Sequence, residues 1–216
     1  MRIRTFTGGG FGQNGYLALC EEASVAVAID PGAGAPLMVR DLEAVERLEA
    51  ILLTHAHLDH VEGVHVIRAH APDVPIYLHP ADLGLYRSLP QQAAMFGLDS
   101  APQPEPTHEL AHGQRISFGS CAFTVRHTPG HAPGHVVLVA DDESLAIVGD
   151  VVFQGSIGRT DLPGGDFRTL MRSIREQVLS LPDRTVLYPG HGPSTTVGAE
   201  RVTNPFLVPH YGGELA

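Results

Sequence analysis

Positive charge is scarce in this chain. Lysine and arginine total 14 against 24 aspartates and glutamates, a formal net charge of −10 over 216 residues. Phosphate backbones and anionic lipid surfaces are both held by clustered cations, so no nucleic-acid or membrane partner is expected. Long apolar runs are missing as well. No stretch of about 18 apolar residues occurs, and the opening MRIRTFTGGG has no apolar run of the secretory-leader kind. The expectation is a cytoplasmic protein. Cysteine is limited to Cys20 and Cys121, both in strand-like runs and neither in a C-x-x-C pair. They read as two buried thiols in a reducing compartment.

The abundant residue is histidine, with 13 copies that are not evenly spread. The apolar fraction of 43% is that of an ordinary globular protein. A chain of this length builds a core that needs no disulfide or metal staple.

RIRTFTG, YLALCEE and SVAVAID read as strands divided by glycine and Asn-Gly turns, the third ending at Asp30-Pro31-Gly32. PLMVRDLEAVERLEA has helical spacing, with Leu37, Leu42, Val45 and Leu48 on one side. AILLT is a buried strand, VEGVHVIRAHA a helix and VPIYLHP a strand. The run from Ser88 to Thr107 holds Pro90, Pro102, Pro104 and Pro106 and reads as a long surface loop. RISFGS, CAFTVRHTPG, HVVLVAD, SLAIVGD and TVLYPGH are strand-like. DFRTLMRSIREQVLSL is a helix with Phe167, Leu170, Met171, Ile174 and Val178 on one face. This pattern predicts one domain, 1–216, made of two β/α halves of roughly 1–112 and 113–216, with two packed sheets and helices outside.

Four polar turns follow apolar strands: THAHLDH (54–60), TPGH (128–131), VGD (148–150) and YPGHG (188–192). In the first, His55, His57, Asp59 and His60 share no single helix face, but a tight turn at a strand end aims all four at one spot. Imidazole and carboxylate are the ligands that zinc and similar ions take. His131, Asp150 and His191 bring the set to seven, more than one catalytic zinc uses. Two ions bridged by a carboxylate use them all. The natural partition gives His55, His57 and His131 to one ion and Asp59, His60 and His191 to the other, with Asp150 between. Zinc is the first choice of metal, and iron or manganese suits the same donors.

The HxHxDH motif and the order of the later His, Asp and His resemble the metallo-β-lactamase superfamily, in its glyoxalase II-like branch. GDVVFQGSIGRTDLPGGD (149–166) and GHGPSTTVGAERVTNPFL (190–207) look like the short members of that branch. The resemblance spans essentially the whole chain. It implies an α+β fold, the αβ/βα four-layer sandwich, and a thioester hydrolase that uses a metal-bridging hydroxide on a small-molecule acyl thioester. Asp59 would orient that hydroxide. Where long glyoxalase II enzymes place Lys and Tyr after the bridging Asp, this chain has Arg159 and Asp161, and Pro193 stands at a further Tyr position. Arg159 is the expected anchor for a substrate carboxylate, against the alternative of an ion pair within GRTD. A persulfide dioxygenase with one iron on His55, His131 and Asp150 is the rival reading, and lactone hydrolysis is another. His65, His70, His79, His108, His112, His127 and His210 lack the turn setting. His135 is closer, as a residue that could orient a ligand. Phe153 and Tyr188 read as packing.

Overall fold

Nearly every apolar run becomes a strand, because a stretch buried on both faces has no reason to alternate. A computed structural model describes residues 1–100 and 103–208. His210 and residues 101–102 of the expected surface loop lie outside the described residues. The chain divides into two compact units, residues 1–110 with 116–122, and residues 111–115 with 123 onward.

The first unit holds a six-stranded sheet in sequence order: β1 (Arg2–Gly8), β2 (Gln13–Cys20), β3 (Val25–Ile29), β4 (Arg47–Leu52), β5 (Ile76–Leu78) and β6 (His108–Glu109). β1, β2 and β3 pair antiparallel, while β3 to β6 pair parallel. Parallel neighbours need crossovers. The helix Ala35–Leu42 makes the first, and Leu58–Val61 with Val64–His70 make the second. Their apolar faces, Ile67 among them, close over Leu17, Ile51, Leu53 and Ile76, all buried.

The other six-stranded sheet has the strand order β14-β13-β10-β9-β8-β7. These are β7 (Arg115–Phe118), β8 (Cys121–His127), β9 (Val136–Ala140), β10 (Leu145–Gly149), β13 (Val186–Pro189) and β14 (Thr195–Thr196), with β11 (Val152–Phe153) and β12 (Ser156–Ile157) as a separate hairpin. β8–β9 and β9–β10 are antiparallel and β10–β13 is parallel. The carboxyl ends of β8, β10 and β13 therefore face the same way. Helix Phe167–Ser173, capped by the Asp166 side chain on the Thr169 N–H, runs into a π turn at Ile174–Val178. Leu170, Ile174 and Val178 pack on Val137, Val148 and Leu187.

Several expectations are corrected. The helix predicted over 36–50 ends at Leu42, and Arg47–Leu52 is strand. Pairing with β3 from Val25↔Arg47 onward outweighs the helical propensity of AVERLEA. Its buried face is Ala35, Met38 and Leu42, while Leu37 is 48% exposed. Phe167, 49% exposed, likewise leaves the face assigned to it. The helix expected in VEGVHVIRAHA is two helices, Leu58–Val61 and Val64–His70, with Gly63 between them. The expected long loop contains the helix Leu89–Met95, with Pro90 in its first turn. There the missing N–H has no partner to lose, so the proline starts the helix instead of breaking it.

The two faces of the first crossover helix separate in a stability measurement. Met38→Ala, on the buried face, removes a fully buried side chain and is expected to cost about 2–5 kcal/mol in urea unfolding. Leu37→Ala should stay within about 0.5 kcal/mol of the parent. A large loss at Leu37 would contradict the corrected face.

Candidate metal centre

Three adjacent parallel strands end in the groups that build the first unit's donor set and its supports. Asp30 follows β3, His55 to His60 follow β4, and Asp82 lies just beyond β5. In open α/β sheets that carboxyl edge is where ligands gather. The seven-residue motif is only partly a turn. His55 and His57 are on extended chain, His57 is the N-cap residue, and Asp59 and His60 lie in the helix Leu58–Val61. The His55 ring centroid is 4.8 Å from that of His57 and 4.1 Å from that of His60. All three rings are buried and Asp59 is partly exposed.

Asp30 sets the protons. It is fully buried and holds φ +47, a left-handed conformation unusual for a non-glycine residue. Its Oδ1 accepts the Thr54 N–H at 2.7 Å, and its Oδ2 accepts the Thr54 hydroxyl at 2.6 Å. The same Oδ2 lies 2.9 Å from His60 Nδ1. A carboxylate only accepts, so His60 carries its proton on Nδ1. The Thr54 hydroxyl hydrogen is engaged in its bond to Asp30, so at 3.1 Å its oxygen accepts from His55 Nδ1. Both rings thus keep the Nε2 lone pair for a ligand, the usual arrangement of metal-binding histidine. One donor atom each from Asp30, His55 and His60 falls within 4.8 Å of the others.

The backbone of the motif is tied as well. Buried Asp82 accepts the Ala56 N–H at 3.0 Å. Gln92, from the helix Leu89–Met95, accepts the Leu58 N–H at 3.1 Å and donates to the Ala56 carbonyl at 3.0 Å. Behind the motif the Pro31-Gly32 turn presses on it. A Cβ at Gly32 would sit 2.0 Å from the Asp59 carbonyl oxygen, so only glycine fits. Beside it, burial and the Asp59 charge together raise the Glu62 carboxyl above its ordinary range.

The second unit repeats this logic with other parts. His131 follows β8, Asp150 follows β10 and His191 follows β13. Nε2 of His131 and Nε2 of His191 each lie 3.5 Å from the same Asp150 oxygen, Oδ2. The Arg159 main-chain carbonyl accepts from His131 Nδ1 at 2.8 Å, which again leaves Nε2 as the lone-pair nitrogen. At Gly158 a Cβ would fall 1.9 Å from the Asp150 carbonyl oxygen. His135 is fully buried and its Nε2 accepts the Asp150 N–H at 3.0 Å. With Nε2 accepting, Nδ1 donates to the Thr128 hydroxyl, also 3.0 Å away. This neutral imidazole holds the main chain of Asp150. Phe153, read as packing, sets its ring edge-on to His191, with centroids 5.9 Å apart.

Asp30, Asp82 and Gln92 are the residues that sequence reasoning did not place at the site. Only Asp30 left a signal, as a turn former at a strand end in register with the histidine motif. Arg159 is exposed and pairs bidentately with Asp161, Nε and Nη2 each at 2.7 Å from one carboxylate oxygen. That hydrogen bonding pulls the Asp161 carboxyl down to about 2. Of the remaining histidines, His65 bonds Gln103 and His127 bonds the Pro133 carbonyl.

Neutral imidazoles with oriented protons and carboxylates at one sheet edge fit divalent cations of the zinc and iron class. Two substitutions probe the supports. Gln92→Leu leaves the Leu58 N–H and Ala56 carbonyl without these partners and should cost about 1–3 kcal/mol in urea unfolding. Arg159→Ala should return Asp161 toward about 3.9, read by carboxyl ¹³C NMR. Because the folded value is depressed, the parent's extra stability is present above that unfolded value and fades as pH falls through about 2. An unmoved titration would show that Arg159 is not the cause.

Residues 9–191 match the sequence profile of the metallo-beta-lactamase superfamily. The chain is 40% identical over 200 residues to hydroxyacylglutathione hydrolase GloC of Haemophilus influenzae, an alignment spanning 91% of this chain and 93% of the relative. It is similar to the crystal structure of TTHA1623 in a di-iron-bound form, with a TM-score of 0.84 and 43% identity over 94% of this chain and 100% of that one. It is also similar to the B3 metallo-beta-lactamase BLEG-1, with a TM-score of 0.87 and 37% identity over 96% and 100% of the two chains. The two mixed sheets with helices are the α+β fold expected from the sequence. The chain belongs to the metallo-beta-lactamase superfamily and is a metal-dependent hydrolase.

Proposed function

We propose that the chain hydrolyses acyl thioesters of the S-acylglutathione type, releasing a hydroxy acid and a thiol. One observation carries the reading. The donor set is rich in neutral imidazole and holds a carboxylate oxygen 3.5 Å from two ring nitrogens at once, which is the environment of a bridging ligand. The 40% identity to a hydroxyacylglutathione hydrolase supports the choice of substrate. His55, His57 and His131 would hold one ion, Asp59, His60 and His191 the other, and Asp150 would bridge. Zinc and iron both suit these donors, and the di-iron form of a 43% identical relative keeps iron in play.

When bound, a pair of such ions supplies a water nucleophile at neutral pH and polarises the carbonyl that water attacks. The protein's own contribution is orientation. The partly exposed Asp59 carboxylate aligns the attacking water and accepts its proton. Asp30 and the Arg159 carbonyl keep the imidazole lone pairs turned to the centre. Arg159 would grip a substrate carboxylate with the guanidinium N–H groups that Asp161 does not occupy. The two cysteines are free thiols, in keeping with a reducing cytoplasm. No described helix is long and apolar enough to cross a membrane.

A single metal-loaded preparation tests the reading. S-lactoylglutathione hydrolysis, β-lactam hydrolysis and persulfide-dependent oxygen uptake are measured beside metal content. Thioester turnover with two ions per chain is expected, and a chelator should abolish it. His57→Ala should lose both an ion and the activity. One iron with oxygen uptake and no thioester turnover would overturn the proposal. A preference for β-lactams, the substrate class in the name of the 37% identical structure, would redirect it. Arg159→Ala should raise KM several-fold with kcat little changed, the pattern of lost uniform binding.

A further inference from the structure

The segment that follows His191 contains two buried polar side chains that the proposed chemistry does not use. Glu200 and Asn204 lie one turn apart, Glu200 on the helix Val197–Thr203 and Asn204 at its C-cap. Glu200 is 1% exposed and Asn204 fully buried. A buried carboxylate is costly unless donors surround it, and three do. Oε2 accepts the Gly155 N–H at 2.9 Å and Asn204 Nδ2 at 2.8 Å. Oε1 accepts the Thr195 hydroxyl at 2.6 Å. Asn204 Nδ2 also donates to the Ser156 carbonyl at 2.9 Å and reaches the Phe153 carbonyl at 3.5 Å. Its Oδ1 accepts the Phe206 N–H at 3.0 Å.

These bonds converge on the β11–β12 hairpin. It has only four residues in its strands, β11 (Val152–Phe153) and β12 (Ser156–Ile157), and belongs to neither six-stranded sheet. A two-stranded hairpin this short has little stability of its own. The pair Glu200 and Asn204 grips its turn and both strands through main-chain groups at Phe153, Gly155 and Ser156. The hairpin in turn carries Phe153, whose ring meets His191 edge-on at an interplanar angle of 80°. His191 is the most solvent-exposed of the histidines in the seven-donor set, its side chain 29% exposed, so the wall beside it matters for its rotamer.

We infer that Glu200 and Asn204 are positioning residues for His191, acting through the hairpin and the Phe153 ring. This rests on the reading of His191 as a ligand of the second ion. Loosening an outer support of a ligating histidine typically lowers metal affinity by about 10–100-fold. The loss should fall on the second ion, because His55 and His131 take their orientation from Thr54 and the Arg159 carbonyl.

The test is a zinc titration of the metal-free full chain in competition with a chromophoric chelator, resolving the two binding steps. The wild type should bind two ions. Glu200→Ala and Phe153→Ala should each weaken the second step by about 10–100-fold and leave the first unchanged. The double variant should be no weaker than the worse single variant, since both act on one path. A purely structural role for Glu200 would weaken both steps together or add to Phe153→Ala, and either result overturns the inference. So does an unchanged second step. If Glu200→Ala does not fold, Phe153→Ala and Asn204→Ala carry the same comparison, because neither removes the buried carboxylate. A wild type that holds only one ion overturns the two-ion reading instead, which keeps the two failures apart.

Discussion

The carboxylate of Asp30 is the group on which the first unit's chemistry depends. It is buried, lies in a left-handed backbone conformation, and accepts three hydrogen bonds. Those bonds fix the start of the histidine motif and the proton positions of two of its rings. Burying a carboxylate is costly unless donors surround it. Charge-assisted hydrogen bonds from Thr54 and His60 are what make it tolerable. The backbone strain at Asp30 is of the kind found where the surrounding structure over-determines a functional residue. Here the Asp30 N–H is held by Leu52 and its carbonyl by Gln13.

The second unit reaches the same chemical result by another route. His131 has its Nδ1 proton taken by a main-chain carbonyl instead of a carboxylate. Asp150 has its main chain held by a neutral imidazole. In both units a glycine lies too close to the main chain of a candidate ligand for any side chain, Gly32 against Asp59 and Gly158 against Asp150. Metal-binding groups need to be held to within a fraction of an ångström. Main-chain hydrogen bonds and close glycine contacts supply that precision without adding charge near the donors.

Much of this was legible in the sequence for a physical reason. A strand buried on both faces leaves an uninterrupted apolar run, and polar residues that follow it must lie at the sheet edge. THAHLDH, TPGH, VGD and YPGHG each announced such an edge. What stayed hidden were the supports. Thr54 meets Asp30 across 24 residues, Ala56 meets Asp82 across 26, and Leu58 meets Gln92 across 34. A side chain bonded to distant backbone leaves no periodic trace. The element errors share a different origin. Local composition makes AVERLEA look helical and LPQQAAM look like loop, whereas pairing with β3 decides the first and the N-terminal tolerance of proline decides the second.

Arg159 divides its two roles between main chain and side chain. Its carbonyl fixes the His131 proton, while its guanidinium points to solvent and pairs with Asp161. Every amino acid offers the same carbonyl. A different side chain at 159 would leave the carbonyl that supports His131 in place. Under the proposed function, histidine support and substrate grip therefore fall on different atoms of one residue. A substitution there would alter what meets the solvent without removing what orients the imidazole.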